Sequence, residues 1–227
     1  MLRFVSLLTI SIVALTVSAR RPLNLAQKMD SAGMVDVCSM RPGLLVSMMY
    51  SRPDNFTGAT IYTDGSIDRK VYLHPKAAAA LCRAVDRLKA TRPDLRMLVK
   101  DASRPMSAQR RMYKVVRATP MAPYVSNPAN GGGLHNYGLA VDITLADSLG
   151  NELPMGTPVD HLGSEANIDK EELLVSRGVI TSEERANRLL LRNIMRQAGF
   201  TPLRSEWWHF NLTSRAAARR EYKLLDF

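Results

Sequence analysis

The feature that most constrains the fold of this 227-residue chain is a set of metal-binding and acid–base side chains that stand far apart in sequence. His135 and Asp142 are separated by six residues, and Glu206 and His209 follow much later. A catalytic zinc site needs three protein ligands, an open position for water, and a separate group that moves the proton of that water. These four side chains can form such a site only if the fold brings them together.

The spacing between His135 and Asp142 predicts a reversal of the chain. Seven extended residues would span about 23 Å, whereas two ligands of one zinc ion each lie about 2 Å from it. Gly138 lies between them and permits the reversal, because glycine adopts backbone conformations that other residues avoid. Asp142 is flanked by Val141 and Ile143, where an unpaired carboxylate would be costly and a metal would remove that cost. The alternative is a hydrogen-bonded residue at the end of a strand.

Two further charged residues suit hydrolysis. Glu206 stands three residues before His209, close enough to move the proton of a bound water; the alternative is a surface glutamate beside two core tryptophans. Arg104 precedes Pro105, and its permanently charged guanidinium suits an oxyanion or a substrate carboxylate. On its own, an Arg-Pro pair more often has a structural role.

The pattern H-x(6)-D followed downstream by E-x-x-H resembles the zinc D-Ala-D-Ala dipeptidases of the VanX type. Residues 54–58, 155–160 and 198–202 are similar to segments of that family in the same order. The resemblance covers roughly residues 44–212, so it does not depend on any single motif. It implies one Zn²⁺ per chain, held by His135, Asp142 and His209, with Glu206 as the general base.

The resemblance also implies two substrate contacts. In the similar family, the arginine that matches Arg104 stabilises the tetrahedral intermediate, and the residue that matches Asp160 holds the free ammonium of the substrate. Two positions depart from the family pattern: Gly133 replaces a serine and Ser103 replaces a tyrosine. If both positions lie in the substrate pocket, these departures affect the choice of dipeptide rather than the metal chemistry.

The N-terminus predicts export. Residues 4–19 are apolar and uncharged, end in Val17-Ser18-Ala19, and are followed by Arg20-Arg21, which is typical of a cleaved signal peptide. The alternative, an uncleaved anchor, needs a longer apolar run. We therefore expect a signal peptide at residues 1–19, a single domain at residues 20–227 without a stable membrane anchor, and a periplasmic or secreted location.

The net charge of +10 raises the possibility of a nucleic-acid partner. The basic residues are scattered among acidic ones and form no stripe with aromatic residues, so we expect no nucleic-acid binding. An anionic cell envelope or simple solubility accounts for the charge. Cys38 and Cys82 are the only cysteines, and in an oxidising compartment we expect them to pair.

Periodicity and turn signals predict an α+β fold, with a small mixed or antiparallel sheet, flanking helices and the zinc site in a central cleft. We expect the segment 20–41 to be irregular and the segment 119–133 to form a loop. Helices are expected over 74–91, 106–117 and 182–198, the last opened by a Thr181–Glu184 capping box. Strands are expected over 44–50, 96–99, 137–145, 200–203 and 207–212.

Together these features predict a secreted zinc dipeptidase that hydrolyses D-Ala-D-Ala or a close D,D-dipeptide. The nearest alternative enzyme is a peptidoglycan D,D-carboxypeptidase or endopeptidase. A third possibility is a metal-stabilised wall-binding module without catalysis. Glu206 and Arg104 argue against that module, because binding alone needs neither. The sequence leaves the oligomeric state open.

Overall fold

The computed structural model describes residues 21–227, so the predicted signal peptide lies outside the described residues. Short and long strands alternate irregularly with helices along the chain. The strands are β1 (Val35–Asp36), β2 (Leu45–Val46), β3 (Tyr72–Leu73), β4 (Leu95–Asp101), β5 (Ala140–Asp147), β6 (Thr201–Leu203) and β7 (Glu206–Asn211). The helices are α1 (Leu25–Ser31), α2 (Val37–Met40), α3 (Pro75–Thr91), α4 (Met106–Val116), α5 (Glu171–Ser176), α6 (Ser182–Gln197) and α7 (Arg215–Glu221).

A five-stranded sheet forms the centre of the domain, in the order β2-β4-β5-β7-β6. β2 runs parallel to β4, whereas β4, β5, β7 and β6 pair antiparallel. β1 and β3 form a separate antiparallel pair. The α+β class with a small mixed sheet is therefore confirmed. Residues of β5 are buried over almost the whole strand, which places this strand, and Asp142 on it, in the interior.

Two long helices cover the sheet. α3 buries a face of small and aliphatic residues, including Ala78, Leu81 and Leu88, and packs on β4. α6 packs on α3 and on β5, β6 and β7. It begins at the predicted capping box, in which Thr181 and Glu184 satisfy each other's backbone N–H groups. The three helices expected from periodicity are confirmed within one or two residues.

Other expectations are corrected. The segment 20–41 is not irregular from residue 25 onward, because it contains α1, β1 and α2; these elements are too short for a clear period. The strand expected over 44–50 is only two residues long and is followed by a 3₁₀ turn at Met49–Ser51. α5 and α7 were not predicted, since each has fewer than two full turns of apolar pattern.

The expected disulfide is also wrong. Cys38 and Cys82 are both free thiols in the structure. Cys38 lies half-buried in α2, and Cys82 is buried in α3 as part of the hydrophobic core. The expectation rested on the number of cysteines and the compartment alone, and neither fixes the geometry that a disulfide requires. Within residues 21–227, no helix combines the length and apolarity needed to cross a membrane.

Candidate active site

The chain reversal predicted between His135 and Asp142 takes place at Gly138. His135 lies in a 3₁₀ turn, Leu134–Tyr137, that ends at Gly138 in the left-handed region with φ of +68°. A Cβ on Gly138 would lie 2.9 Å from the backbone nitrogen of His74, so a side chain is excluded by space as well as by conformation. The chain then enters β5, which carries Asp142.

The sheet register brings His209 to Asp142. The two residues are direct partners across β5 and β7, and neighbouring side chains in such a pair lie on the same face. Nδ1 of His209 is 2.9 Å from Oδ1 of Asp142, and Nε2 of His135 is 3.2 Å from Oδ2 of Asp142. Nε2 of His135 and Nδ1 of His209 are 3.2 Å apart. All three side chains are buried, and their ligand atoms lie within 4.8 Å of one another.

The remaining ring nitrogens show that this cluster suits a cation. Nδ1 of His135 is 2.7 Å from the backbone oxygen of Ala102, and Nε2 of His209 is 2.8 Å from Oδ1 of Asn211. Both oxygens are acceptors, so these nitrogens carry the ring protons. In the neutral imidazoles the other two nitrogens are then bases that face each other and a carboxylate. Only a proton or a metal ion satisfies that arrangement, and the donor set of two imidazoles and one carboxylate matches catalytic zinc sites.

In the absence of a metal ion, the cluster favours an ionised Asp142 and a protonated His209. Burial by itself raises the pKa of Asp142, but the two histidines hold it well below the usual range of a carboxyl. Burial lowers the pKa of His209, yet its hydrogen bond to Asp142 and the charge of that carboxylate raise it to about 9. A cation at this position, whether H⁺ on His209 or a metal ion, is therefore favoured.

Glu206 reaches the same cavity because β7 is irregular. Residues three apart on a regular strand point to opposite faces of the sheet. Pro202 of β6 pairs with Phe210 of β7, but the next residue, Leu203, pairs with Glu206, four residues before Phe210. The extra residues of β7 therefore bulge out of the pairing. As a result Oε2 of Glu206 lies 3.8 Å from Nδ1 of His209. Burial raises the pKa of Glu206 to about 7, with the charge of Asp142 adding to the rise.

Arg104 is held rigidly beside the cluster. Its Nε and Nη2 donate to Oδ2 of Asp101, at 2.9 and 2.5 Å, and its Nη1 donates to Oε1 of Gln109 at 3.1 Å. Nη2 also lies 3.8 Å from Oδ2 of Asp142, and the guanidinium stacks over the ring of Tyr50. Burial alone would lower the pKa of Arg104, but Asp101 and its other neighbours raise it well above the usual value.

Asp160 faces the same cavity from the loop that follows Pro158. Within residues 21–227, Asp160 is the only non-glycine residue with a positive φ, which is +65°. Asp tolerates this conformation better than most residues. Tyr50 donates a hydrogen bond of 2.5 Å to Oδ2 of Asp160. Burial, reinforced by the charge of Asp142, raises the pKa of Asp160 to about 7.

A buried arginine fixes the loop that carries Asp160. Arg188 of α6 is fully buried and donates to the backbone oxygens of Met155 and Glu165 at 2.6 and 3.0 Å, and to Oγ1 of Thr157 at 3.4 Å. The same hydroxyl accepts a 2.8 Å hydrogen bond from Nε1 of Trp207, the residue that follows Glu206. One network therefore connects the Asp160 loop to the strand that carries Glu206 and His209.

All six predicted site residues line one cavity of about 580 Å³. A family model described as D-Ala-D-Ala dipeptidase matches residues 30–225. The chain belongs to the D-Ala-D-Ala dipeptidase family. This is a family of zinc metallopeptidases, and the resemblance found in the sequence is confirmed.

Individual dipeptidases support the same assignment over most of their length. The D-alanyl-D-alanine dipeptidase of Escherichia coli K12 is 31% identical over 188 residues, which cover 83% of this chain and 89% of that protein. That of Streptomyces coelicolor is 28% identical, covering 75% and 86%. That of Enterococcus faecalis is 26% identical, covering 79% and 91%.

The two departures from the dipeptidase pattern have different consequences. Gly133 lines the cavity as expected, but its missing side chain does not leave a hole. A Cβ on Gly133 would lie 2.7 Å from Oγ of Ser126, so a serine from another segment occupies that space. Ser103 is buried and is not among the residues that line this cavity, so only Gly133 of the two positions meets the condition set from sequence.

Several residues of this dipeptidase site were missed from sequence. Asp101 and Gln109 orient Arg104, Tyr50 contacts Asp160, and Arg188 holds the Asp160 loop. Asp101 gave a signal, since a carboxylate at the end of a buried strand, three residues before an arginine, needs a partner. The contacts of Tyr50 and Arg188 join segments far apart in the sequence, and Gln109, although only five residues after Arg104, belongs to no pattern that marks it.

Proposed function

We propose that this chain is a zinc-dependent D,D-dipeptidase that hydrolyses D-Ala-D-Ala or a closely related dipeptide. The observation that carries the proposal is the arrangement of His135, Asp142 and His209, whose three free ligand atoms converge next to Glu206 in one cavity. The relatives named as D-alanyl-D-alanine dipeptidases support the choice of substrate.

Zinc fits the donor set, and His135, Asp142 and His209 would hold it. When bound, it supplies Lewis acidity that polarises the peptide carbonyl and lowers the pKa of water to near neutrality. The backbone oxygen of Ala102 and the amide of Asn211 fix the ring orientation of the two histidines, as the outer partners of metal ligands do.

Glu206 is the proposed general base. Its carboxylate lies beside Nδ1 of His209, and burial raises its pKa above the usual range of a carboxyl, which favours a group that takes a proton from water and returns it to the leaving amine. Arg104 is the proposed oxyanion donor. Its charge is permanent, and Asp101 and Gln109 prevent it from reorienting, so no reorganisation is needed when negative charge develops on the carbonyl oxygen.

Asp160 is proposed to bind the free ammonium of the substrate. Its carboxylate is held at the cavity by Tyr50, and a cationic ligand would relieve the cost of its partial burial. This contact favours a dipeptidase over a D,D-carboxypeptidase, which must accept an acylated amine. Ser126 supports the same choice, because its hydroxyl fills the space that Gly133 leaves and so keeps the pocket from extending there.

A dipeptide panel tests the proposal. Zinc-loaded protein is incubated with D,D-, L,D- and L,L-alanyl-alanine and with N-acetyl-D-Ala-D-Ala, and amino-acid release is measured. We expect the free D,D-dipeptide to be cut far faster than the others. Chelator-treated protein and the Glu206→Gln variant are the controls. Comparable kcat/KM for the free and N-acetylated D,D-dipeptides would instead support the carboxypeptidase.

We also propose that the enzyme acts outside the cytoplasm, on dipeptide derived from the cell wall. The proposal rests on the apolar N-terminal segment and its small residues at positions 17 and 19. N-terminal sequencing of protein recovered from the medium or periplasm should find Arg20 as the first residue. Retention of the full chain inside the cell would contradict export.

A further inference from the structure

The active-site cavity contains a second arginine that the proposed chemistry does not use. Arg104 and Arg215 both line it, but Arg104 is paired with Asp101. Arg215 is the exposed first residue of α7. Its Nη2 donates to Oγ of Ser126 at 3.1 Å, and within residues 21–227 no carboxylate lies within 4.0 Å of it. Most of its five N–H donors are therefore available to a planar anion.

Ser126 connects this arginine to the buried part of the cavity wall. The backbone oxygen of Ser126 accepts a 2.7 Å hydrogen bond from Nε2 of Gln109, and Oε1 of the same buried Gln109 accepts from Arg104. The hydroxyl of Ser126 also fills the space beside Gly133, two residues before His135. The pair of Ser126 and Arg215 thus lies next to the metal-ligand segment, linked to Arg104 through one buried amide.

We propose that Arg215, positioned by Ser126, binds the free C-terminal carboxylate of the substrate. This inference rests on the proposed dipeptidase function. A dipeptide carries its carboxylate on the residue directly after the scissile bond, so the group that binds this carboxylate must line the same cavity as the metal-ligand cluster, and Arg215 is such a group. Asp160 and Arg215 would then bind the two opposite charges of one zwitterion. A peptide with further residues at its C-terminus loses the contact with Arg215, which makes this residue a determinant of substrate length.

The test compares D-Ala-D-Ala with its C-terminal amide, which keeps the ammonium and the scissile bond but lacks the carboxylate. In the zinc-loaded wild type we expect a clear preference for the free acid. In Arg215→Met, kcat/KM for the free acid should fall about tenfold to a hundredfold, the usual worth of a hydrogen bond to a charged group, mostly through KM. The amide should be cut at an unchanged rate. Arg215→Lys should restore part of the preference, because it keeps the charge without the planar fork.

Arg220→Met is the matched control, since it removes the same charge from the same helix at a residue outside the cavity wall. Circular dichroism melting checks that each variant is folded. An unchanged acid-to-amide ratio in Arg215→Met would overturn the inference while leaving the dipeptidase function intact. The inference would also be overturned if Arg215→Met lowered kcat/KM equally for the acid and the amide, or if Arg220→Met changed the acid-to-amide ratio as much as Arg215→Met does. If the wild type cuts neither compound, the proposed function fails, and the inference fails with it.

Discussion

Replacing Asp160 by asparagine should lower activity and raise stability in the same protein. Asparagine has nearly the same shape, still accepts the hydrogen bond from Tyr50, and tolerates a φ of +65° at least as well as aspartate. The substitution therefore removes little except the negative charge. If that charge binds the substrate ammonium, kcat/KM for D-Ala-D-Ala should fall about tenfold to a hundredfold. The kcat/KM for N-acetyl-D-Ala-D-Ala, which has no ammonium, should be the same in the variant and the wild type.

The stability gain follows from the raised pKa. Because the pKa of Asp160 rises from 3.8 to about 7 on folding, its stabilising contribution is complete below pH 4 and is lost as the pH rises through 7. Each pKa unit corresponds to about 1.36 kcal/mol, so the upper bound is about 4 kcal/mol. Asp160 is half-buried and solvent screens it, so we expect about 1 to 2 kcal/mol. For a domain of this size that is roughly 2 to 8 °C in Tm.

The assay is thermal unfolding of metal-free protein, followed by circular dichroism at pH 4 and pH 8. Asp160→Asn and the wild type should melt together at pH 4, and the variant should melt higher at pH 8. Asp226→Asn is the control, because Asp226 is exposed and paired with Arg110. A Tm difference that does not change with pH would refute the electrostatic argument. In the zinc-loaded wild type, kcat/KM should also decline on the acid side as Asp160 becomes protonated, and this decline should be absent in Asp160→Asn.

Four other predictions concern the metal, the general base, the loop and the pocket wall. Elemental analysis should find one zinc per chain, and chelation should abolish turnover; active protein without a stoichiometric divalent ion would contradict the mechanism. Glu206→Gln should keep its zinc and lose about 10² to 10⁴ in kcat, so near-normal turnover in the zinc-loaded variant would remove Glu206 from catalysis. Arg188→Met should lower the free energy of unfolding in urea by about 3 to 5 kcal/mol, since it leaves the backbone oxygens of Met155 and Glu165 without their donor, and a loss below 1 kcal/mol would show that the network is dispensable. Gly133→Ser should lower stability by about 1 to 3 kcal/mol through its collision with Ser126, and adding Ser126→Ala should restore it; independent effects of the two changes would refute that contact.

The sequence alone was sufficient for the parts of this protein whose physics is local. The long helices could be predicted because α3 and α6 repeat apolar residues over several turns, and the capping box at Thr181 marks where α6 begins. The reversal at Gly138 follows from chain length and ligand distance. The candidate ligands were few, since the chain has four histidines. These inferences need only the spacing of residues along the chain.

What the sequence could not supply depends on contacts between distant segments. Glu206 and His209 share a cavity only because β7 bulges against β6, and a regular strand would have separated them. Ser126 fills the space at Gly133, Arg188 fixes the Asp160 loop, and Arg215 enters the cavity from a helix near the C-terminus. The two cysteines stay apart although their number suggested a bond. The sequence by itself determined which groups could do the chemistry. Only the tertiary structure decided their orientation, because side-chain direction and the neighbours that fix it depend on packing between segments far apart in the chain.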